Sequence, residues 1–194
     1  MASSDFLVEI GTEELPSAAV PALPAALAEA LTGAFATHGL RHGAVSWFGT
    51  PRRIAVLVRR LSDRAADTQV ARRGPPVSAA YAADGTPTRA AIAFAESCGV
   101  DLAALGRVTE AKGEFLHYAA TRPGEAVTTL LGGIVAAAVA GLPIAKRMRW
   151  GSGDVEFARP VHWIVLMYGR DVVPATVLGV SAGRTTYGHR FMAP

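Results

Sequence analysis

Cysteine is almost absent from this chain. A single Cys98 in 194 residues rules out an intramolecular disulfide and any cysteine-based metal site, and it suits a reducing compartment. Lysine is scarce too. Lys112 and Lys146 are the only two, so nearly every cation is an arginine, with a planar fork of donors and a permanent charge. The N-terminal stretch carries Asp5 and Glu9 but no early Lys or Arg, which excludes a secretory signal. The most apolar late stretch, Leu130 to Pro143, is shorter than the ~20 residues that cross a bilayer and reads as a buried helix. These absences lead us to expect a cytoplasmic protein without membrane association. Phosphate cradles are missing as well. Gly151-Ser152-Gly153 has neither the Walker lysine–hydroxyl pair nor a dinucleotide-binding fingerprint.

What is present is apolar and arginine-rich. Hydrophobic residues make up 51% of the chain, which indicates a packed globule and excludes a disordered chain. The formal net charge is only +3, but it is unevenly spread. Residues 1–40 hold five acids and no Lys or Arg, residues 41–80 hold eight arginines against two acids, and residues 145–194 hold seven cations against three acids. Such asymmetry is expected of a chain with a polyanion-facing side. It is equally expected where arginine simply replaces lysine, and composition leaves both open.

The hydrophobic pattern predicts an α+β fold with a mixed or largely antiparallel sheet and packed helices. Phe6 to Thr12 reads as a first strand. Leu23, Leu27, Leu31 and Phe35 then recur every four residues as a helical stripe, closed by Gly39. Ala44 to Phe48 and Arg53 to Leu61 read as strands about a Gly49-Thr50-Pro51 turn. The second is apolar on both faces and therefore central. Residues 62–87 are rich in breakers and are expected to form a flexible, exposed loop. A short helix from Thr88 to Cys98, a hairpin turning near Ala111 to Gly113, and a helix from Glu125 to Leu142 follow. Val161 to Tyr168 and Val172 to Val180 read as a final strand pair. In the first of these, Val161, Trp163 and Val165 should share one face, with His162 and Ile164 on the other. The whole is expected to be one compact domain or two closely packed lobes.

Few residues suggest catalysis. Glu13 and Glu14 are adjacent acids at a helix start, where the helix dipole alone favours them. His38 and His42 are four apart, but Gly39 intervenes and no third ligand is near, so no zinc site is expected. Cys98 lacks a base partner. We therefore assign no catalytic residue and no metal site. The remaining candidates are basic and lie beside aromatic residues: Arg52 and Arg53; Lys146, Arg147 and Arg149 before Trp150; Arg159 before His162 and Trp163; and Arg184, His189 and Arg190. Arginine binds phosphate and aromatic rings stack on unpaired bases. Arginine stems also pack on sheets and pair with acids. RNA, a partner protein and a structural role all remain open at this point.

The motifs themselves are distinctive. "FLVEIGTEELP", "TPRRIAVLV", "RRGP", "KGEFL", "LPIAKRMRWG", "FARPVHWIV" and "GHRF" occur in this order. Together, from Phe6 to Phe191, they resemble the N-terminal part of the β subunit of bacterial glycyl-tRNA synthetase, the heterotetrameric type. Two departures are Ala145, where that family usually has proline, and Tyr187, where a basic residue is common. The resemblance implies an α2β2 ligase that joins glycine to tRNA(Gly) with ATP and magnesium. The active site would lie on the α subunit, so this stretch would need no cofactor of its own and would be inactive alone. It also implies a longer β chain with further domains. The implied partners are the α subunit, the remaining β domains and tRNA(Gly).

Overall fold

A computed structural model describes residues 2–188. In chain order the elements are β1 (Ser3–Thr12), α1 (Ala19–Thr37), β2 (Val45–Thr50), β3 (Arg53–Ser62), β4 (Thr68–Pro76), α2 (Val77–Ala80), α3 (Arg89–Cys98), β5 (Gly106–Glu110), β6 (Gly113–Arg122), α4 (Val127–Ala140), β7 (Met148–Arg149), β8 (Glu156–Phe157), β9 (Val161–Tyr168), β10 (Asp171–Val172), β11 (Thr176–Val177) and β12 (Val180–Gly183). The fold is α+β, with mixed and antiparallel sheets. The chain divides into two compact units. The first takes the residues up to Ala66 and those from Glu125 onward; the second is Asp67–Gly124.

The first unit is built on a sheet of order β11-β12-β9-β1-β3-β2, with β10 also pairing β9. β1 lies antiparallel between β3 and β9, and β3 lies between β1 and β2. The two-sided apolar pattern of β3 thus matches an interior strand. One face of the sheet carries Phe6, Val8, Ile10, Ile54, Val56, Val58, Ile164 and Leu166. They share a core with Leu23, Leu27, Leu31 and Phe35 of α1 and Leu131, Ile134, Val135 and Val139 of α4. Each fully buried aliphatic or aromatic side chain contributes about 1.5–3 kcal/mol. The rings of Phe6 and Phe35 meet edge to face, 6.1 Å between centroids. By length and composition alone α1 is apolar enough to cross a membrane, but its leucine stripe is buried against the sheet. It ends at Gly39, whose φ of +65° is the left-handed conformation that closes a helix with least strain.

Two strand expectations need correction. β9 carries an extra residue where Gly11 pairs Trp163 but Thr12 pairs Val161. This bulge resets the alternation. Val161 joins the helix-side core with Ile164, while Trp163 stays with Val165 on the other face. The predicted strand from Val172 to Val180 is three short pieces. Pro174 cannot donate to a ladder, and Leu178 and Gly179 both take positive φ, +52° and +77°. The last piece, β12, then runs parallel to β9.

The second unit holds a three-stranded sheet, β4-β6-β5. Leu116 packs there with Ala80, Ala91, Phe94 and Tyr81. The predicted hairpin near Ala111 to Gly113 is the β5–β6 turn. The flexible loop expected over residues 62–87 is not observed. β4 and α2 occupy most of it, with Thr68 to Arg73 in continuous register on β6. Its breakers misled because β4 is an edge strand, where proline is tolerated. Pro75 and Pro76 lie at the irregular end of that ladder.

Candidate interaction face

The sheet of the first unit has a second face, opposite the helix-side core, and Glu9, Arg53 and Trp163 lie on it. From Phe6 to Gly11, β1 is apolar except at Glu9, its one charged residue in that stretch. Register sets Glu9 in a row with Ala55 and Val165, and Gly11 in the next row with Arg53 and Trp163. Gly11 is a glycine for a steric reason. A Cβ there would lie 2.0 Å from the Trp163 ring, so the indole rests directly on the β1 backbone.

Glu9 is only 7% exposed, and a buried carboxylate is costly unless paired and hydrogen-bonded. Its Oε1 accepts from Trp163 Nε1 at 2.7 Å and from Thr186 Oγ1 at 2.5 Å. Its Oε2 lies 3.6 Å from Arg53 Nε, an ion pair but too long for a hydrogen bond. Arg53 in turn donates from Nη2 to the Tyr187 carbonyl and sits 5.6 Å from the Trp163 ring centre. The Tyr187 ring packs on the same indole at 5.1 Å. Glu9 is thus a hub that fastens residues 186–187 across the sheet.

A second cluster lies where β1, β3 and β9 meet their loops. Glu13 takes Arg52 at 3.3 Å on one oxygen and His162 at 2.8 Å on the other. Arg159 donates from Nε to the Glu14 carbonyl at 2.9 Å and from Nη1 to the Ala158 carbonyl at 2.9 Å. The adjacent acids Glu13 and Glu14 therefore tie strand ends together.

The structure brings Arg52, Arg53 and Arg159 to one end of the sheet. Arg147 does something different. Its Nη2 donates to the carbonyls of Ala140 at 2.8 Å and Leu142 at 3.3 Å, where the last turn of α4 leaves acceptors free. Arg149 meets Asp154 at 3.5 Å on an exposed surface, a pairing worth little. Lys146 is exposed. Arg184 lies toward the opposite end of the sheet, where its Nη2 donates to the Arg170 carbonyl at 3.0 Å. His189 and Arg190 lie outside the described residues. Sequence reasoning missed Glu9 and Thr186. The sequence did hold one cue for Glu9: a lone carboxylate inside a strand too apolar to face water.

Long-range bonds among motif residues define an α+β module in which separate sequence stretches hold one another on a single sheet. The chain belongs to the glycyl-tRNA synthetase beta subunit family, whose model matches residues 6–194. It is 50% identical over 194 residues to the glycine–tRNA ligase beta subunit of Chromohalobacter salexigens, covering 100% of this chain and 28% of that protein. It is 45% identical over 192 residues to the one from Serratia proteamaculans and 46% identical over 192 residues to the one from Cronobacter sakazakii, in each case 99% of this chain and 28% of the relative. The chain therefore spans less than a third of the length of these relatives, and corresponds to their N-terminal region.

Proposed function

We propose that this chain is the non-catalytic N-terminal module of a glycine–tRNA ligase β subunit. In this reading it supports tRNA(Gly) handling and assembly with the α subunit, which performs the ATP-dependent, magnesium-dependent glycylation in the cytoplasm. The observation that carries the reading is family membership along nearly the whole chain. The geometry agrees with it. Glu9, Glu13, Arg52, Arg53, Arg147 and Arg159 are each engaged in bonds that brace the fold, as expected of a scaffold.

The test has two arms. The 194-residue chain alone should give no glycine-dependent ATP–pyrophosphate exchange. The α subunit paired with a β subunit lacking residues 1–188 should lose tRNA(Gly) affinity or tetramer assembly relative to the full pair. Exchange by the isolated chain, free of host enzyme, refutes the non-catalytic role. A deletion neutral in both affinity and assembly refutes the module's part in either.

A further inference from the structure

We propose that the end of the main sheet around Asp5 is an RNA phosphate-binding face, with Arg60 and Arg170 as its contacting cations and Arg59 and Arg184 beside them. The proposal rests on the tRNA-handling reading above and locates the contact. None of Arg59, Arg60 and Arg170 stood out in the sequence, because the first two lie within β3 and the third in the distant β9–β10 turn. The fold joins them through one residue. β3 carries an extra residue between Val58 and Leu61, so that Arg59 and Arg60 lie opposite Asp5 alone. There the Asp5 carboxylate accepts the Arg60 backbone N–H at 3.0 Å and pairs with the Arg59 guanidinium. The Asp5 carbonyl accepts the Gly169 N–H at 2.8 Å, which sets Arg170 next to the same point. Arg184 is then held on the Arg170 carbonyl.

Three features give this arrangement a binding character. First, Arg60 has φ +49°, a conformation disfavoured for any residue with a Cβ, yet an arginine occupies it. The outlier falls in the β3 bulge, a feature that re-aims side chains and recurs beside functional sites. Second, the side chains of Arg60 and Arg170 are exposed. Among the described residues, neither guanidinium has a hydrogen-bond or ion-pair partner, whereas Arg52, Arg53, Arg147 and Arg159 are engaged. Third, the charge balance favours an anion. Four arginines, Arg59, Arg60, Arg170 and Arg184, gather there against Asp5, Asp63 and Asp171, and Asp5 is already paired.

The partner's class follows from what is missing between these arginines. The exposed large hydrophobics among the described residues are Trp47, Phe48, Ile92, Met148 and Tyr187, and none lies beside Asp5, Arg60 or Arg170. A protein interface needs an apolar centre. Nucleic-acid interfaces are polar and positively charged, and guanidinium forks match phosphate oxygens.

The experiment uses the full-length β subunit in complex with its α subunit. The variants are Arg60→Gly and Arg170→Ala, singly and together, with Arg60→Lys/Arg170→Lys as the charge-retaining control. Glycine suits the backbone at position 60, so Arg60→Gly should not lower the melting temperature. Affinity for fluorescently labelled tRNA(Gly) is measured by anisotropy across about 50–200 mM salt, a range over which phosphate contacts show strongly. The slope of log K against log salt should become shallower by about 0.7–0.9 per lost contact, so by about 1.4–1.8 for the pair, while the lysine control keeps most of it. An unchanged slope and affinity overturns the proposal. Unchanged tRNA binding with weakened α–β association also overturns it, in favour of a protein interface. If the deletion of residues 1–188 lowers tRNA affinity but the arginine pair does not, only this inference fails. If neither does, the tRNA-handling reading fails with it.

Discussion

Gly11→Ala isolates the contact that joins the two best-defined motifs of this chain. The added methyl would fall 2.0–2.3 Å from three atoms of the Trp163 ring. Real side chains do not approach so closely, so the indole or the strand must move. The ring cannot swing freely, because its Nε1 is held on Glu9 at 2.7 Å and Tyr187 packs against it. Overpacking of this kind costs about 1–3 kcal/mol. If the indole is displaced, Glu9 also loses a donor in a nearly buried position, a further ~1–3 kcal/mol. The expected destabilisation is therefore about 2–5 kcal/mol, since the two costs overlap and do not add fully. For a chain of this size it corresponds to a melting temperature lowered by roughly 2–4 °C per kcal/mol. Urea unfolding of the purified chain measures it directly. A double-mutant cycle with Trp163→Leu supplies the control, because Gly11→Ala should cost much less once the indole is gone. A Gly11→Ala variant within ~0.5 kcal/mol of wild type, or one equally costly in both backgrounds, would refute the steric argument.

Two other outcomes follow from the same structure. The Arg60 backbone N–H, and next the Arg59 side chain, hold the Asp5 carboxyl below its usual value of 3.8; a lowered folded-state value contributes stability that is present above the unfolded value and is lost as pH falls through the folded one. The urea midpoint of wild type should accordingly exceed that of Asp5→Asn near neutrality, and the gap should close below about pH 4; a gap independent of pH would contradict this. Arg147→Ala removes the two carbonyl contacts at the end of α4 and should lower stability by about 0.5–1.5 kcal/mol, with tRNA(Gly) affinity and its salt slope unchanged in the full α–β complex. A flattened salt slope would return Arg147 to the phosphate-binding candidates.

The elements that could be read in the sequence are those whose pattern is local. The four-residue stripe from Leu23 to Phe35 needs only one helix to make sense, and the Gly39 cap only its own φ. The Val161–Val165 face failed because a bulge depends on the partner strand: the extra residue at His162 exists only in relation to Gly11 and Thr12 of β1. The same holds for residues 68–76, whose prolines look like a loop until β6 supplies a ladder and leaves β4 at its edge.

The candidate site shows this limit most clearly. Arg52, Arg53, Arg147 and Arg159 were conspicuous because each stands in a dense run of motif residues, yet each bonds to a carboxylate or carbonyl of the fold. Local density of charge marks where a chain needs cations, without saying whether they serve the fold or a ligand. Partner geometry makes that distinction. Arg53 reaches Glu9 from a strand 44 residues away, and Thr186 reaches the other oxygen of the same carboxylate from across the chain. Arg60 and Arg170 carry no such bonds at their guanidinium groups, and in the sequence they stand 110 residues apart. Arg60 and Arg170 are therefore cations with donors left over that only the assembled sheet brings together, through a single aspartate that binds its neighbours by backbone and side chain at once.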